Sequence, residues 1–248
     1  KVQQALDNIS DWCDRWGFKI SVSKTTCVLF RKGKQKSVKL YLNGKKLTKS
    51  RNVKFLGMVF DQSLTWNDHI KYLVERCQKR INILKLLTGS KWGADKQTMV
   101  TLYKTLIRPI LDYGCGIYNS ASISIKNKLN IIQSQALRLC CGALKCTPVS
   151  ALKVDCGVPP LELRRKFLSG KLAVRYQYLP DNPTTKCLEK CSYLHYGKYT
   201  ESFKPFKLQV SDITEGLPTA FIKPVIDTIP YWEYQSPNFA TDLHAILS

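Results

Sequence analysis

A chain of 248 residues, 44% of them hydrophobic, is long enough for one large or two modest domains. It contains no run of about 18 apolar residues, which excludes a membrane-spanning helix. Its formal net charge of +21 exceeds what solubility requires and marks the footprint of a polyanion binder. In chain order, Val2, Ala5, Leu6, Ile9, Trp12, Cys13 and Trp16 recur at helical spacing, so a helix opens the chain and ends near Gly17. No cap precedes it and residue 1 is not methionine, so a piece of something longer is expected, without a signal peptide.

TTCVLF, VKLYLNGKKL and NVKFLGMVFD then read as three strands of a small antiparallel β-meander. Asn43-Gly44 is a hairpin signal, because a type I′ turn needs positive φ at both central residues. From Trp66 the period switches to helical. Ile70, Leu73, Val74, Cys77, Ile81 and Leu84 continue an apolar stripe that ends before Gly89, with Arg76, Lys79, Arg80 and Lys85 beside it. Further helices are expected over about 95–107, ending where Pro109 intervenes, over 124–141, from Thr147-Pro148 to Gly157, and over 160–178.

The class is therefore α+β: a meander over 1–63, a mainly helical array over 64–179 and an irregular proline-rich tail over 180–248. Charge supports the last boundary. Residues 1–179 hold 33 Lys and Arg against 10 Asp and Glu, whereas residues 180–248 hold 6 against 8 and seven of the eleven prolines.

Ten cysteines without a secretory signal, with Cys13, Cys77 and Cys140 at apolar helix positions, read as buried reduced thiols. Cys187, Cys191 and His195 share a helical spacing but lack a fourth ligand and paired spacing, so no metal site is assigned. No complete active site is present either. No two acidic residues are adjacent, no GxxxxGK[ST] loop occurs, and the three histidines are far apart. Asp61, Asp68, Asp112 and Asp155 read as caps, turns and helix-surface residues.

Taken in order, several segments closely resemble the reverse transcriptase of non-LTR retrotransposons, especially the jockey-like elements. WGFKISVSKTTCVLF is similar to the segment after that family's catalytic Asp-Asp hairpin, including its motif D, and VKFLG is similar to motif E, the primer grip. LTWNDHI, TLYKTLIRPILDYG, LNIIQSQALRLCCGA and TPVSALKVDCGVPPLELRR resemble its thumb and post-thumb pattern, so the resemblance covers roughly residues 1–175.

The resemblance implies the end of a palm, a primer grip, a thumb and a connection. Phe55, Leu56 and Gly57 would form a hairpin that packs on the palm and positions a primer 3′ end; from the residues alone they read as an ordinary buried strand with a bulge at the glycine. Lys24 would be the catalytic candidate, protonating or stabilising departing pyrophosphate; its alternative is a solvated lysine in a turn. Arg76, Lys79, Arg80, Lys85, Arg108, Arg138, Arg164 and Arg165 are candidates for duplex phosphates, and Trp92 reads as a loop anchor rather than a base-stacking platform.

The implied parent is an RNA-directed DNA polymerase using magnesium, with RNA template, DNA primer and the upstream palm and fingers of the same polyprotein as partners. The family's metal-binding aspartates lie upstream of the matching region, so this chain is expected to bind no cofactor itself and not to polymerise alone. An intracellular location is expected, nuclear by family resemblance only. The rival reading is a non-catalytic nucleic-acid-binding remnant or domesticated module.

Overall fold

The computed structural model describes residues 1–30, 38–89, 92–177, 182–190 and 209, all within one unit, Lys1–Glu215. Helix α1, Val2–Arg15, buries none of its residues. It is tied to the next hairpin by polar contacts. The Gln3 amide donates to the Tyr41 carbonyl (2.8 Å) and accepts from the Tyr41 N–H (2.9 Å). Cys13 is accordingly half-buried, unlike Cys77 and Cys140, which lie in the core as expected.

Strand β1 is Thr26–Cys27, β2 Tyr41–Leu42, β3 Lys45–Lys46, β4 Thr48–Lys49, β5 Asn52–Phe55 and β6 Met58–Asp61. β2 and β3 form the expected hairpin over Asn43 (φ 50°) and Gly44 (φ 72°). The continuous meander is a correction. Among the described residues the strands form three separate pairs, β2–β3 and β5–β6 antiparallel and β1–β4 parallel.

NVKFLGMVFD is also not one strand. It folds into the β5–β6 hairpin, with Asn52 opposite Asp61 and Phe55 opposite Met58. Leu56 (φ 45°) and Gly57 (φ 79°) form its two-residue turn, so the glycine turns the chain instead of bulging a strand. A leucine at positive φ is strained by about 1–2 kcal/mol, which is why alternation alone favoured an uninterrupted strand.

Helix α2, Asn67–Leu86, buries His69, Ile70, Leu73, Cys77, Ile81 and Leu84, the expected stripe with Val74 left half-buried. Asp61 organises its start. One carboxylate oxygen accepts from the N–H groups of Ser63 (3.1 Å) and Thr65 (3.0 Å), the other from that of Trp66 (2.7 Å). These bonds hold Leu64 (φ 53°) and Trp66 (φ 65°) in the left-handed region, as the turn reading of Asp61 anticipated. Asp61→Ala frees three N–H groups and releases that strain. We expect a loss of about 2 kcal/mol in urea unfolding, with Asp61→Asn recovering part of it.

Helix α3, Lys96–Leu102, is capped by Asp95, whose carboxylate accepts from Gln97 N–H (2.9 Å) and Thr98 N–H (3.2 Å). The helical path does not stop before Pro109, as expected from sequence. A π turn, Tyr103–Ile107, carries it into α4, Arg108–Asp112. The Arg108 N–H bonds to the Tyr103 carbonyl, one residue wider than an α-helix, and this widening makes room for the proline ring.

Helices α5 (Cys115–Tyr118), α6 (Ile123–Cys141), α7 (Val149–Asp155) and α8 (Leu161–Gln177) complete the array. Pro148 is the residue ahead of the first turn of α7, one position later than a Thr147 cap with proline as the first helical residue would place it. The core joins α2, the α3–π–α4 path and α6 through Leu73, Leu84, Tyr103, Ile107, Leu129 and Leu137. Each such apolar side chain contributes about 1.5–3 kcal/mol by burial.

In the tail a ninth helix, α9, Pro183–Lys190, replaces an irregular start. The rest of the proline-rich tail, with Cys191 and His195, lies outside the described residues; Cys187 is exposed. Among the described residues no helix is long and apolar enough to cross a membrane.

Candidate nucleic-acid interface

The β5–β6 hairpin presents an apolar tip to solvent, with Phe55 61% and Leu56 74% exposed. Two adjacent apolar side chains thus project into water from the end of a tightly held turn. Gly57 at the turn is exposed too.

Two side chains from the helical array hold the tip. The Tyr113 hydroxyl, just beyond α4, donates to the Leu56 carbonyl, fixing the residue with the strained φ. One residue past the turn-closing Phe55–Met58 pair, the Val59 N–H donates to His69 Nδ1 at 3.2 Å. His69 is fully buried beside the rings of Trp66, Tyr72 and Tyr118. Burial lowers its pKa to about 4, so the ring is neutral near pH 7. Because Nδ1 accepts, the ring proton is assigned to Nε2, which is buried without a partner among the described residues.

Two glycines permit the close approach. A Cβ on Gly57 would lie 3.3 Å from Tyr113 Cε1, and one on Gly114 would lie 2.6 Å from Met58 Sδ. Both positions also have positive φ.

Beside the hairpin lies a cationic cluster that spans strand and helix. Lys54 Nζ donates to the Tyr72 hydroxyl at 2.9 Å, and the Arg76 guanidinium lies 5.5 Å from the Tyr72 ring centroid. The Lys54 hydrogen bond, aided by the positive charge of Arg76, pulls the Tyr72 hydroxyl below its ordinary pKa.

The eight basic candidates separate into two groups. Arg76, Lys79 and Lys85 are exposed on α2 and Arg80 is half-buried there. At about 100° per residue, Arg76 and Lys79 share the hairpin flank of α2, and Lys85 lies about opposite Arg76. The other four are engaged within the fold. Arg164 binds Asp112 Oδ2 through Nη2 (2.9 Å) and Nε (3.2 Å), and Arg108 lies 4.0 Å from the same oxygen. Arg165 is buried, with Nε on Asn119 Oδ1 at 3.2 Å, and burial lowers its pKa. Arg138 donates from Nη2 to the Thr147 carbonyl at 3.5 Å.

Lys24 is exposed in the turn after α1 and makes no side-chain hydrogen bond or ion pair among the described residues. Trp92 is 72% exposed, its ring lying against Gly89; Ser90 and Lys91 beside it fall outside the described residues. Among the described residues no three His, Cys, Asp or Glu side chains come close enough to hold a metal ion. The isolated aspartates have structural partners: Asp68 accepts from Asn52 Nδ2 at 3.2 Å, and Asp155 pairs with Lys96.

Sequence reasoning missed Lys54, Tyr72, His69 and Tyr113 as parts of this site. The Asp-Tyr-Gly run at 112–114 was the available signal, since a glycine after a helix end permits a close backbone approach.

No protein-family model matches the sequence, and no solved structure matches it significantly. The chain is 25% identical over 185 residues to the RNA-directed DNA polymerase from mobile element jockey of Drosophila melanogaster, covering 75% of this chain and 20% of that protein. Its counterpart from Drosophila funebris is 27% identical over 181 residues, covering 73% and 20%. The probable RNA-directed DNA polymerase from transposon BS of Drosophila melanogaster is 28% identical over 139 residues, covering 55% and 15%. The aligned region is thus about one fifth of the length of these relatives or less. This chain is a homologue of the RNA-directed DNA polymerases of non-LTR retrotransposons.

Proposed function

We propose that the chain is a fragment of such a polymerase and grips the primer–template during reverse transcription. The observation that carries this reading is the exposed Phe55-Leu56-Gly57 tip, pinned by Tyr113 and His69 and flanked by Lys54 and Arg76. The apolar tip packs against the sugar and base of a terminal nucleotide, while the cations hold its phosphates. Pinning at Leu56 and at Val59, on either side of Gly57, keeps that contact from moving with the turn.

The described residues do not fit a magnesium site, since no carboxylate cluster forms among them. Metal chemistry in the proposed parent belongs to its other segments, and the fragment by itself does not polymerise. Lys24 is the one proposed contributor to chemistry, an exposed ammonium free to meet pyrophosphate charge. The partners are an RNA template, a DNA primer and the remainder of the polyprotein. In this reading the protein works in the nucleus.

The test compares binding of the full chain to two RNA–DNA hybrids, one with a recessed primer 3′ end and one blunt. We expect tighter binding to the recessed end, and Phe55→Ala weakening that preference about five- to tenfold, the equivalent of about 1–1.4 kcal/mol. Equal affinity for the two ends, unchanged by Phe55→Ala, refutes the grip and leaves a general nucleic-acid binder.

A further inference from the structure

Helices α6 and α7 stop in the same way, each at a cysteine followed by a glycine: Cys141-Gly142 and Cys156-Gly157. Both glycines have positive φ, 60° and 58°, which turns the chain out of the helix. The two thiols meet. Cys141 Sγ lies 3.0 Å from Cys156 Sγ, although the residues are 15 positions apart. Among the described residues no other two thiols are in hydrogen-bond contact. The adjacent Cys140 is directed elsewhere, its thiol donating to the Met99 carbonyl at 3.4 Å.

Cys156 is buried and Cys141 half-buried, so a small oxidant reaches the pair from the Cys141 side. Burial, and then the hydrogen bonds with Cys156 and Asp155, hold the Cys141 thiol above its ordinary pKa. The resting pair near pH 7 is therefore a reduced dithiol. Joining the sulfurs at the disulfide length of about 2.0 Å takes an approach of about 1 Å. The adjoining glycines leave room for it, since a Cβ on Gly142 or Gly157 would meet nothing within 4 Å.

We propose that Cys141 and Cys156 are a redox modification site, a reversible disulfide formed by hydrogen peroxide that ties the end of α6 to the end of α7. The Cys141 thiolate attacks one peroxide oxygen and the O–O bond breaks. Hydroxide leaves and takes up the thiol proton as water, and a sulfenic acid remains on Cys141. The Cys156 sulfur then attacks the Cys141 sulfur and the S–O bond breaks. A second water carries away the hydroxyl group and the Cys156 proton. Two electrons pass from the sulfurs to the peroxide oxygens, and a dithiol reductant reverses the change by exchange. Asp155, next to Cys156, pairs with Lys96 at the start of α3, so the disulfide fastens a junction of three helices. The inference is independent of the primer grip and uses none of its residues.

The experiment treats the full chain with a small excess of hydrogen peroxide, blocks free thiols before unfolding, and maps tryptic peptides without reduction. Cleavage after Lys145 and Lys153 places Cys141, Cys146 and Cys156 on three different peptides. We expect residues 139–145 joined to 154–164, two hydrogens lighter than the separate peptides, with fragmentation assigning the bond to Cys141. Dithiothreitol should dissolve the link. Closing a loop of about 15 residues should raise the melting temperature of the oxidised chain by about 6–12 °C over the reduced one. Cys141→Ser removes this rise, whereas Cys146→Ser, at an exposed cysteine between the two, keeps it.

A bond from Cys156 to Cys140 or Cys146 overturns the proposal, as does oxidation to sulfinic acid with no link. An oxidant response of Cys141→Ser equal to that of the native chain also overturns it, as does a link that leaves the melting temperature unmoved. The peptide map is read on the native sequence, so a serine variant that fails to fold leaves the test decisive.

Discussion

Between pH 6.5 and pH 4 the folded state is expected to lose about 2–3 kcal/mol of stability through His69. Burial lowers the pKa of this ring to about 4, while in the unfolded chain it titrates near 6.5. Above pH 6.5 both states carry a neutral ring and the stability is fully present. As the pH falls, the unfolded state takes up the proton first, and the contribution drains away until it is gone below about pH 4. Protonation also removes the acceptor for the Val59 N–H, because a charged imidazole has only donors.

The measurement is urea unfolding of the native chain and His69→Gln at pH 7 and pH 4.5. Glutamine keeps a carbonyl acceptor but does not titrate. The native chain is expected to lose about 2–3 kcal/mol more than the variant between the two conditions. Parallel losses in the two proteins exclude His69 as the acid-sensitive element. If the grip operates as proposed, the recessed-end preference of the folded chain holds until the pH nears 4, where the ring itself takes up a proton and the Val59 N–H loses its acceptor.

Asp112→Ala is the second large effect, a destabilisation of about 3 kcal/mol. Asp112 Oδ2 receives two hydrogen bonds from Arg164 and lies 4.0 Å from Arg108, and all three side chains are three-quarters or so buried. Removing the carboxylate leaves two adjacent guanidiniums partly desolvated and repelling each other. The double variant Asp112→Ala/Arg164→Met removes one of those orphaned charges and is expected to recover about half the loss. Thermal unfolding of the three proteins checks this, and an additive double variant denies the coupling. Asp112 immediately precedes Tyr113, so its loss also loosens the contact from Tyr113 to the Leu56 carbonyl. In the proposed function, Asp112→Ala therefore weakens recessed-end preference without touching nucleic acid.

Much of the helical array is legible in the sequence alone. The stripe from Ile70 to Leu84 and the 124–141 segment both folded within a residue or so of expectation. A helix repeats its environment every 3.6 residues, so its buried face is written in local order. The Asn43-Gly44 hairpin was equally local. The second hairpin is implied by the family resemblance but is missed by the alternation of residues, because Leu56 is a poor turn residue, and what holds it there is Tyr113, 57 residues away. The helix through Pro109 was missed for a related reason: sequence shows the ring that blocks an α-turn but not the π turn that accommodates it.

By itself the sequence determined the α+β class, the basic surplus of residues 1–179, the order of segments that resembles a non-LTR reverse transcriptase, and the absence of an acid between Asp112 and Asp155. Only the tertiary structure decided which charges are spent. Eight basic residues looked alike along the chain, yet Arg164 is neutralised by an aspartate 52 positions away and Arg165 is buried on Asn119, while Arg76, Lys79 and Lys85 are left exposed on α2. Charge is a property of composition, and pairing is a property of distance. The field near a surface falls off within about 8–10 Å in physiological salt, so a basic residue's role depends on neighbours that the fold, and not the chain order, brings to it.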